Sequence, residues 1–351
     1  MKKKSNLKAI DFFCSIGGMT YGFQQAGINV LAGIDIDPSC KETYEYNNPD
    51  SKFILSDITN YSFEDLKKET GIKEKDDDLV FIGCSPCQYW TIMNTTKAKS
   101  EKSKNLLVDF QRFVEHFLPG YVVVENVPGI LRKKEESGLK RFIEILKANN
   151  YIVKHDILHA DKHGVPQKRK RFTLVASRVN KKIELPEPDR DNIPIVKNFI
   201  GIDNGFPSIS HGHRDLTAFM HTTAKLSELN FKRIKNTREN GGSRLDWKDD
   251  PELQLECYKG NDRAFNDIYG RMKWDEPAPT ITTKFHSISN GRFGHPSENR
   301  GLSLREGATL QTFPSHYSFK EASIGKVAKH IGNAVPPELA KKIAHQLLTS
   351  K

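Results

Sequence analysis

At 351 residues, with 37% hydrophobic and 28% charged residues, the chain has the make-up of a soluble globular protein long enough for two domains. Its net charge of +10 favours a polyanionic partner. No apolar run reaches the length of a membrane span, and the start Met1-Lys2-Lys3-Lys4 lacks the apolar stretch of a secretory signal. Five cysteines without a framework spacing fit a reducing cytoplasm rather than a disulfide scaffold.

In chain order, Lys8 to Phe13 is a strand candidate that runs into Cys14-Ser15-Ile16-Gly17-Gly18. A helical pattern through Tyr21, Phe23 and Ala26 stops at Gly27, and Val30 to Ile34 is a second strand ending in Asp35 and Asp37. Phe53-Ile54-Leu55 is a third, ending in Ser56-Asp57-Ile58. Strand, glycine turn, helix, strand and acid outline a nucleotide-binding βαβ unit, with Asp35 placed to accept bonds from ribose hydroxyls. The G-x-G-x-x-G fingerprint is incomplete: Ser15 precedes Ile16, and no glycine fills its third place. An adenosine cofactor without a pyrophosphate therefore fits better than a dinucleotide.

Leu79 to Ile82 reads as a buried strand that ends at Gly83 and leads through Cys84-Ser85-Pro86 to Cys87-Gln88. A thiol presented at a strand's carboxyl end and followed by Gln and aromatics suits a nucleophile attacking a flat, electron-poor ring. Cys84 and Cys87 also spell a C-x-x-C, but Cys14, Cys40 and Cys257 offer no second pair, so zinc and dithiol chemistry are disfavoured. Lys97, Lys99, Lys102 and Lys104 then form a basic stretch with the composition of a surface loop, suited to a phosphate backbone. Leu106, Leu107, Phe110, Phe113, Val114 and Phe117 recur at helical spacing and read as core.

Tyr121 to Val124 is a continuous buried strand delivering Glu125-Asn126-Val127-Pro128. A carboxylate there is costly to desolvate without a structural ion pair or a chemical task. Helix 139–148 and strand 151–158 continue the alternation. In Gln167-Lys168-Arg169-Lys170-Arg171, ahead of strand Phe172–Ala176, the two arginines would point to one side of an extended segment and act together on a carboxylate, a carbonyl or a phosphate. From Lys181 the texture becomes irregular, with Pro186, Pro188 and Pro194 marking a linker into a second domain. Residues 231–244 are locally basic, the histidines near 211–221 and 286–295 lack metal spacing, and His213, Arg214, Arg244 and Lys284 are candidate base readers. A packing helix is expected over Arg300 to Pro314, and Ile331 to Pro337 is expected to open the final helix.

Taken together, Asp11-Phe12-Phe13-…-Gly17-Gly18, Pro86-Cys87-Gln88, Glu125-Asn126-Val127, Gln167-x-Arg169-x-Arg171, Arg305-Glu306-…-Leu310-Gln311-Thr312-Phe313-Pro314 and Gly332-Asn333-Ala334-Val335-Pro336-Pro337 resemble the motifs of the cytosine-5 DNA methyltransferases of bacterial restriction–modification systems, in family order. The resemblance implies an α/β fold: a Rossmann-like S-adenosylmethionine-dependent domain at 1–180, an irregular target-recognition domain at 181–320, and a segment 321–351 returning to the first. It implies Cys87 as the nucleophile, Glu125 holding the cytosine ring, and Arg171 with Arg169 positioning it. Phe13, Ser15, Ile16, Gly17, Gly18, Asp35, Ile36, Asp57, Ile58, Pro86, Asn333 and Val335 match cofactor-pocket positions. Gln88, Lys97, Lys99, Lys102, Arg233, Arg238, Arg244, Thr280 and Lys284 are the candidates for contact with double-stranded DNA, and no metal site is expected. A cytoplasmic, nucleoid-associated monomer, with or without a companion endonuclease, is the implied setting. Ser15, Ser85 and Trp90-Thr91 depart from the family pattern without removing a catalytic group. The rivals are a transfer-RNA cytosine methyltransferase, which the long segment 180–300 disfavours, and a catalytically idle DNA-binding scaffold, which intact Cys87, Glu125 and Arg171 disfavour.

Overall fold

The computed structural model describes residues 6–85, 105–132, 135–260, 262 and 265–350. The chain begins β1 (Lys8–Phe12), α1 (Gly18–Ala26), β2 (Asn29–Asp35), α2 (Lys41–Asn47), β3 (Lys52–Leu55), α3 (Phe63–Thr70) and β4 (Leu79–Gly83). It continues α4 (Leu106–Phe117), β5 (Tyr121–Asn126), α5 (Gly129–Arg132), α6 (Leu139–Ala148), β6 (Ile152–His159) and β7 (Lys170–Ser177). Then come α7 (Glu228–Asn236), α8 (Leu304–Leu310), α9 (Ile324–Asn333) and α10 (Pro337–Thr349). Contacts divide the chain into two units: Met1–His163, Lys170–Pro188 and Val335–Lys351 form the first, Gly164–Arg169 and Asp189–Ala334 the second. Against boundaries drawn at 180 and 320 from the sequence, residues 181–188 group with the first unit and 321–334 with the second.

The first unit is a Rossmann-like α/β layer. Its seven strands lie in the order β3-β2-β1-β4-β5-β7-β6, with β1 to β5 parallel and β7 antiparallel to both neighbours. Strands buried on both faces must be apolar throughout, which is why Leu79–Ile82 and Tyr121–Val124 read as unbroken runs. Phe12 meets Phe81 and Phe110 edge-on at 5.1 and 5.2 Å, fixing β1 and β4 under α4. Strand order reverses between β1 and β4, so the crevice where such sheets take ligands opens at the carboxyl ends of these two strands.

The second unit has no extended sheet among its described residues, only short helices and isolated bridges. Its buried backbone is satisfied in another way: Arg169, Arg244, Arg271, Arg300 and Arg305 are fully buried there. Arg271 donates to the carbonyls of Ile234, Thr237, His295 and Glu298, and Arg305 to those of Ala218, Phe219, Pro314 and Tyr317. A planar guanidinium with five donors can do for several irregular loops what a ladder does for strands.

Two helix expectations need correction. The helix expected over Arg300–Pro314 is confined to Leu304–Leu310, because Ser303 and Glu306 form a capping box that starts it. Ile331 to Asn333 close α9 instead of opening the last helix, which starts after Pro336 with Pro337 at its first position.

Candidate active site

At the end of β1 the chain turns through Phe13 at φ 64°, Ser15 at φ 48° and Gly17 at φ 89° before α1 begins. Gly17 suits the left-handed conformation; Phe13 and Ser15 adopt it at a cost, which the surroundings must offset. Asp35 at the end of β2 does so in part, its Oδ2 accepting from the Ser15 N–H at 2.8 Å and its Oδ1 from the Asp37 N–H at 2.9 Å. Burial pushes the Asp35 carboxyl above its ordinary value, against the lowering pull of these backbone donors. Beside it Ile36 is 64% exposed, while Ile16 is fully buried beneath the turn. Asp57 uses Oδ1 to hold the Thr59 N–H and hydroxyl, and the Ile58 carbonyl accepts from Arg112. Arg112 also donates to the Tyr61 carbonyl, so it braces the whole 58–61 turn; neither periodicity nor motif singled it out. A carboxylate fixed beside an exposed aliphatic side chain and a glycine turn can hold an adenosine: the acid keeps lone pairs for ribose hydroxyls and Ile36 offers a flat apolar surface to the purine. Asn333 is exposed and Val335 buried.

Two strands further along the sheet, Glu125 lies at the end of β5, only 7% exposed. The Nε of Arg171 on β7 stands 2.7 Å from its Oε1, and Arg171 also donates through Nη1 to the Lys170 carbonyl. The next residue, Asn126, donates through Nδ2 to both the carbonyl and the hydroxyl of Ser85, each at 3.1 Å. This tie fixes the end of β4 against the end of β5, through two residues, Asn126 and Ser85, to which neither motif nor spacing assigns a role. Burial, then the Glu125 and Asp11 charges, holds the Cys84 thiol well above its ordinary pKa, as expected of an inert structural cysteine. Pro86, Cys87, Gln88, Lys97, Lys99 and Lys102 lie outside the described residues.

The two arginines expected to act together do different things. Arg171 holds Glu125 in the first unit, whereas Arg169, in the second, is 1% exposed and donates to the carbonyls of Ile281, Gly332 and Ala334. Gln167 joins this web through Leu310, Gln311 and the Ile281 N–H. The two differ because Arg169 precedes β7, which begins at Lys170, and groups with the second unit.

Of the recognition-region candidates, Arg238 and Lys284 are exposed, and Thr280 is half-buried with its hydroxyl donating to the Lys168 carbonyl. Arg233 and Arg244 are not available as surface cations. Arg233 is packed over Tyr269 at 5.1 Å and donates to the Leu253 carbonyl; Arg244 lies over Tyr258 at 4.6 Å and donates to the Phe265 carbonyl and Asn266. Both are buried because aromatic faces and stranded carbonyls take the guanidinium more fully than a solvated surface would.

The model of the C-5 cytosine-specific DNA methylases matches residues 7–349. The chain belongs to this family. Its activity is accordingly the transfer of a methyl group to carbon 5 of cytosine in DNA. The methyltransferase is 36% identical to the type II methylase M.HgiDII of Herpetosiphon aurantiacus over 96% of this chain and 94% of that one. It is 31% identical to the type II methyltransferase M1.HphI of Haemophilus parahaemolyticus over 98% and 87%. Among solved structures, an E. coli prophage protein described as a DNA modification methyltransferase aligns over 98% of this chain and 99% of that one, with a TM-score of 0.74 at 20% identity. The Entamoeba histolytica methyltransferase EhMeth aligns over 98% of both, with a TM-score of 0.66 at 16% identity, and at that distance it speaks for the fold alone.

Proposed function

We propose that the methyltransferase acts on a cytosine turned out of a short, specific duplex sequence, with Cys87 as covalent nucleophile and S-adenosylmethionine as methyl donor. The observation that carries the reading is the Glu125–Arg171 pair on the strand beside the one that leads into Ser85-Pro86-Cys87, with Asn126 tying those two strand ends together. Chemistry on a ring carbon needs the base out of its stack, because the reacting atom is otherwise covered.

Cys87, as thiolate, forms a bond to ring carbon 6, and the displaced π electrons load carbon 5. Glu125 delivers a proton to ring nitrogen 3 and accepts from the exocyclic amino group, so that thiolate addition does not leave a bare ring anion; Arg171 keeps that carboxyl group in place and faces the ring oxygen. The donor, held by Phe13, Ser15, Asp35, Ile36 and Asp57 around the strand ends, would supply an electrophilic methyl group that bonds to carbon 5 as its bond to sulfur breaks, the neutral thioether S-adenosylhomocysteine leaving. Loss of the carbon 5 proton to a base then restores the double bond and expels the thiolate. Arg169 supports this only at a distance, by bracing the segment from which Arg171 departs.

The second unit would read the sequence, its exposed side chains meeting base edges and its buried arginines keeping irregular loops rigid. The type II relatives support a modification role; with it go a place in a bacterial cytoplasm on the nucleoid and a monomeric enzyme, with or without a companion nuclease that cuts the same site. The test is a map of 5-methylcytosine after incubation with S-adenosylmethionine and a random duplex library, with transfer RNA in parallel. Methylation at one recurring duplex sequence is expected; methylation of RNA alone would replace DNA as the substrate.

A further inference from the structure

One turn of the second unit carries exposed groups on a backbone braced through His213, Asp215 and Thr217. Leu216 is 97% exposed, and His213, Arg214 and Thr217 around it are exposed as well. An isolated surface leucine needs no explanation, but this one stands on a braced turn. The Asp215 carboxylate accepts from the Thr217 N–H at 2.9 Å and the His221 N–H at 2.8 Å, and the Asp215 N–H donates to the Thr222 hydroxyl at 2.9 Å. The Thr223 N–H donates to the His213 carbonyl at 3.0 Å, closing the base of the turn. From beneath, the buried Arg305 guanidinium takes the carbonyls of Ala218 and Phe219. The turn therefore meets a ligand without an ordering cost. Arg233 and Arg244, basic residues of the same unit, are spent on internal carbonyls and aromatic rings, which leaves Arg214, with Arg190 and Arg238, as the exposed arginines among the unit's described residues.

We propose that the turn 213–217 is a base-reading element of this methyltransferase: Arg214 donates to the O6 and N7 of a guanine, and Leu216 packs on the 5-methyl group of a thymine in the same recognition sequence. Both contacts follow from major-groove chemistry, in which a guanidinium matches the two acceptors of guanine and an apolar side chain matches the only methyl group that a base displays. The proposal rests on duplex DNA being the substrate, which the wild-type methylation map tests separately.

The experiment pairs side-chain removal with base-atom removal. Once the wild-type map gives the sequence, each thymine is replaced in turn by uracil and each guanine by 7-deazaguanine, and kcat/KM and duplex affinity are measured for wild type, Leu216→Ala and Arg214→Ala. At one thymine, uracil is expected to lower the wild-type kcat/KM about tenfold, with Leu216→Ala already lower by that factor and indifferent to uracil. Arg214→Ala is expected to be indifferent to 7-deazaguanine at one guanine to which wild type is sensitive. Unchanged melting temperatures show that the exposed substitutions leave the fold intact. If no position shows this non-additivity, or if both variants lose affinity uniformly across sequences with a shallower salt dependence, the turn touches phosphates or nothing, and the assignment fails.

Discussion

Arg171 and Glu125 meet across the antiparallel pair β7–β5 with 2.7 Å between Nε and Oε1, the arginine one residue past the start of its strand and the carboxylate one before the end of its own. Both side chains are largely buried, so the pair is shielded from salt and its geometry is set by the sheet. Glu125→Gln keeps the shape and an acceptor for Arg171 but cannot deliver a proton to ring nitrogen 3. A fall in kcat of about 10²–10³ is expected, with a melting temperature near that of wild type. Cys87→Ser should abolish turnover while leaving duplex affinity within about threefold, because binding rests on other side chains. A Glu125→Gln enzyme that keeps wild-type kcat in single-turnover assays would remove Glu125 from the chemistry.

The fixed carboxylate of Asp35 offers a second expectation. Each oxygen already accepts one backbone N–H, from Ser15 and from Asp37, and an asparagine has only one acceptor oxygen for both. Asp35→Asn should loosen the strained turn at Ser15 as well as remove the charge. Affinity for S-adenosylmethionine, read by calorimetric titration without DNA, is expected to fall by at least tenfold. Equal affinity would place the donor elsewhere.

Helix α1 carries a glycine where helix propensity asks for alanine. A Cβ on Gly22 would lie 2.5 Å from both the Ala340 Cβ and the Pro337 carbonyl oxygen, so α10 lies directly against the α1 backbone. Gly→Ala in a helix interior ordinarily stabilises by about 0.5–1 kcal/mol. Here the sign should reverse: Gly22→Ala is expected to lower the melting temperature by several degrees, with the greatest loss of amide protection in α1 and α10. A rise in melting temperature would show that α10 can withdraw without cost.

What could be read from the residues alone follows from where their partners are. The strands β1, β4 and β5 were legible because a doubly covered strand is apolar residue by residue, and Glu125 stood out because a carboxylate ends such a run. The close approach at Gly22 was not, since its cause is Ala340, more than three hundred residues away. Arg233 and Arg244 stand in a locally basic stretch that marks them as candidates for contact with DNA; their burial depends on acceptors at Leu253 and Phe265 that no local pattern announces. Arg169 and Arg171 share a spacing, yet the first is claimed by carbonyls 112 to 165 positions away and the second by a strand neighbour. Arginines whose acceptors are distant carbonyls are the general case in the second unit, and this is why its surface was misjudged where its irregularity was not.

Burial gives Asp11 in the first unit and His295 in the second opposite contributions to stability as pH changes, while His163 of the first unit, buried and held down from 6.5 to about 4, acts in the same sense as His295. In the second unit His295 is 2% exposed; burial first, and then Arg300 and Arg271, hold its imidazole down from 6.5 to about 4 despite Glu306 and Glu298 nearby. Burial lowers His221 as well. Between about pH 4 and 6.5 the unfolded chain binds protons that these folded imidazoles refuse, so the second unit gains stability as pH rises through that window. Below it, Glu306 adds to the loss. Burial pushes its carboxyl up, but Arg300 and His295 hold it down from 4.5 to about 2, so its contribution disappears as pH falls from 4.5 towards 2. In the first unit Asp11 is fully buried, with Thr20 donating to its Oδ2 at 2.7 Å, and burial raises its carboxyl from 3.8 to about 7. There the folded state holds a proton that the unfolded chain releases, so stability is lost as pH rises from about 4 to 7. Hydrogen exchange at pH 5 and pH 7, expressed as protection factors, should show amides of the second unit becoming better protected at pH 7 and those of β1 and α1 less so. Asp11→Asn should flatten the response of β1 and α1 alone, since an amide cannot lose the proton in question. If protection of β1 and α1 moves the same way as that of the second unit, and Asp11→Asn changes neither slope, burial of these groups does not govern the pH response.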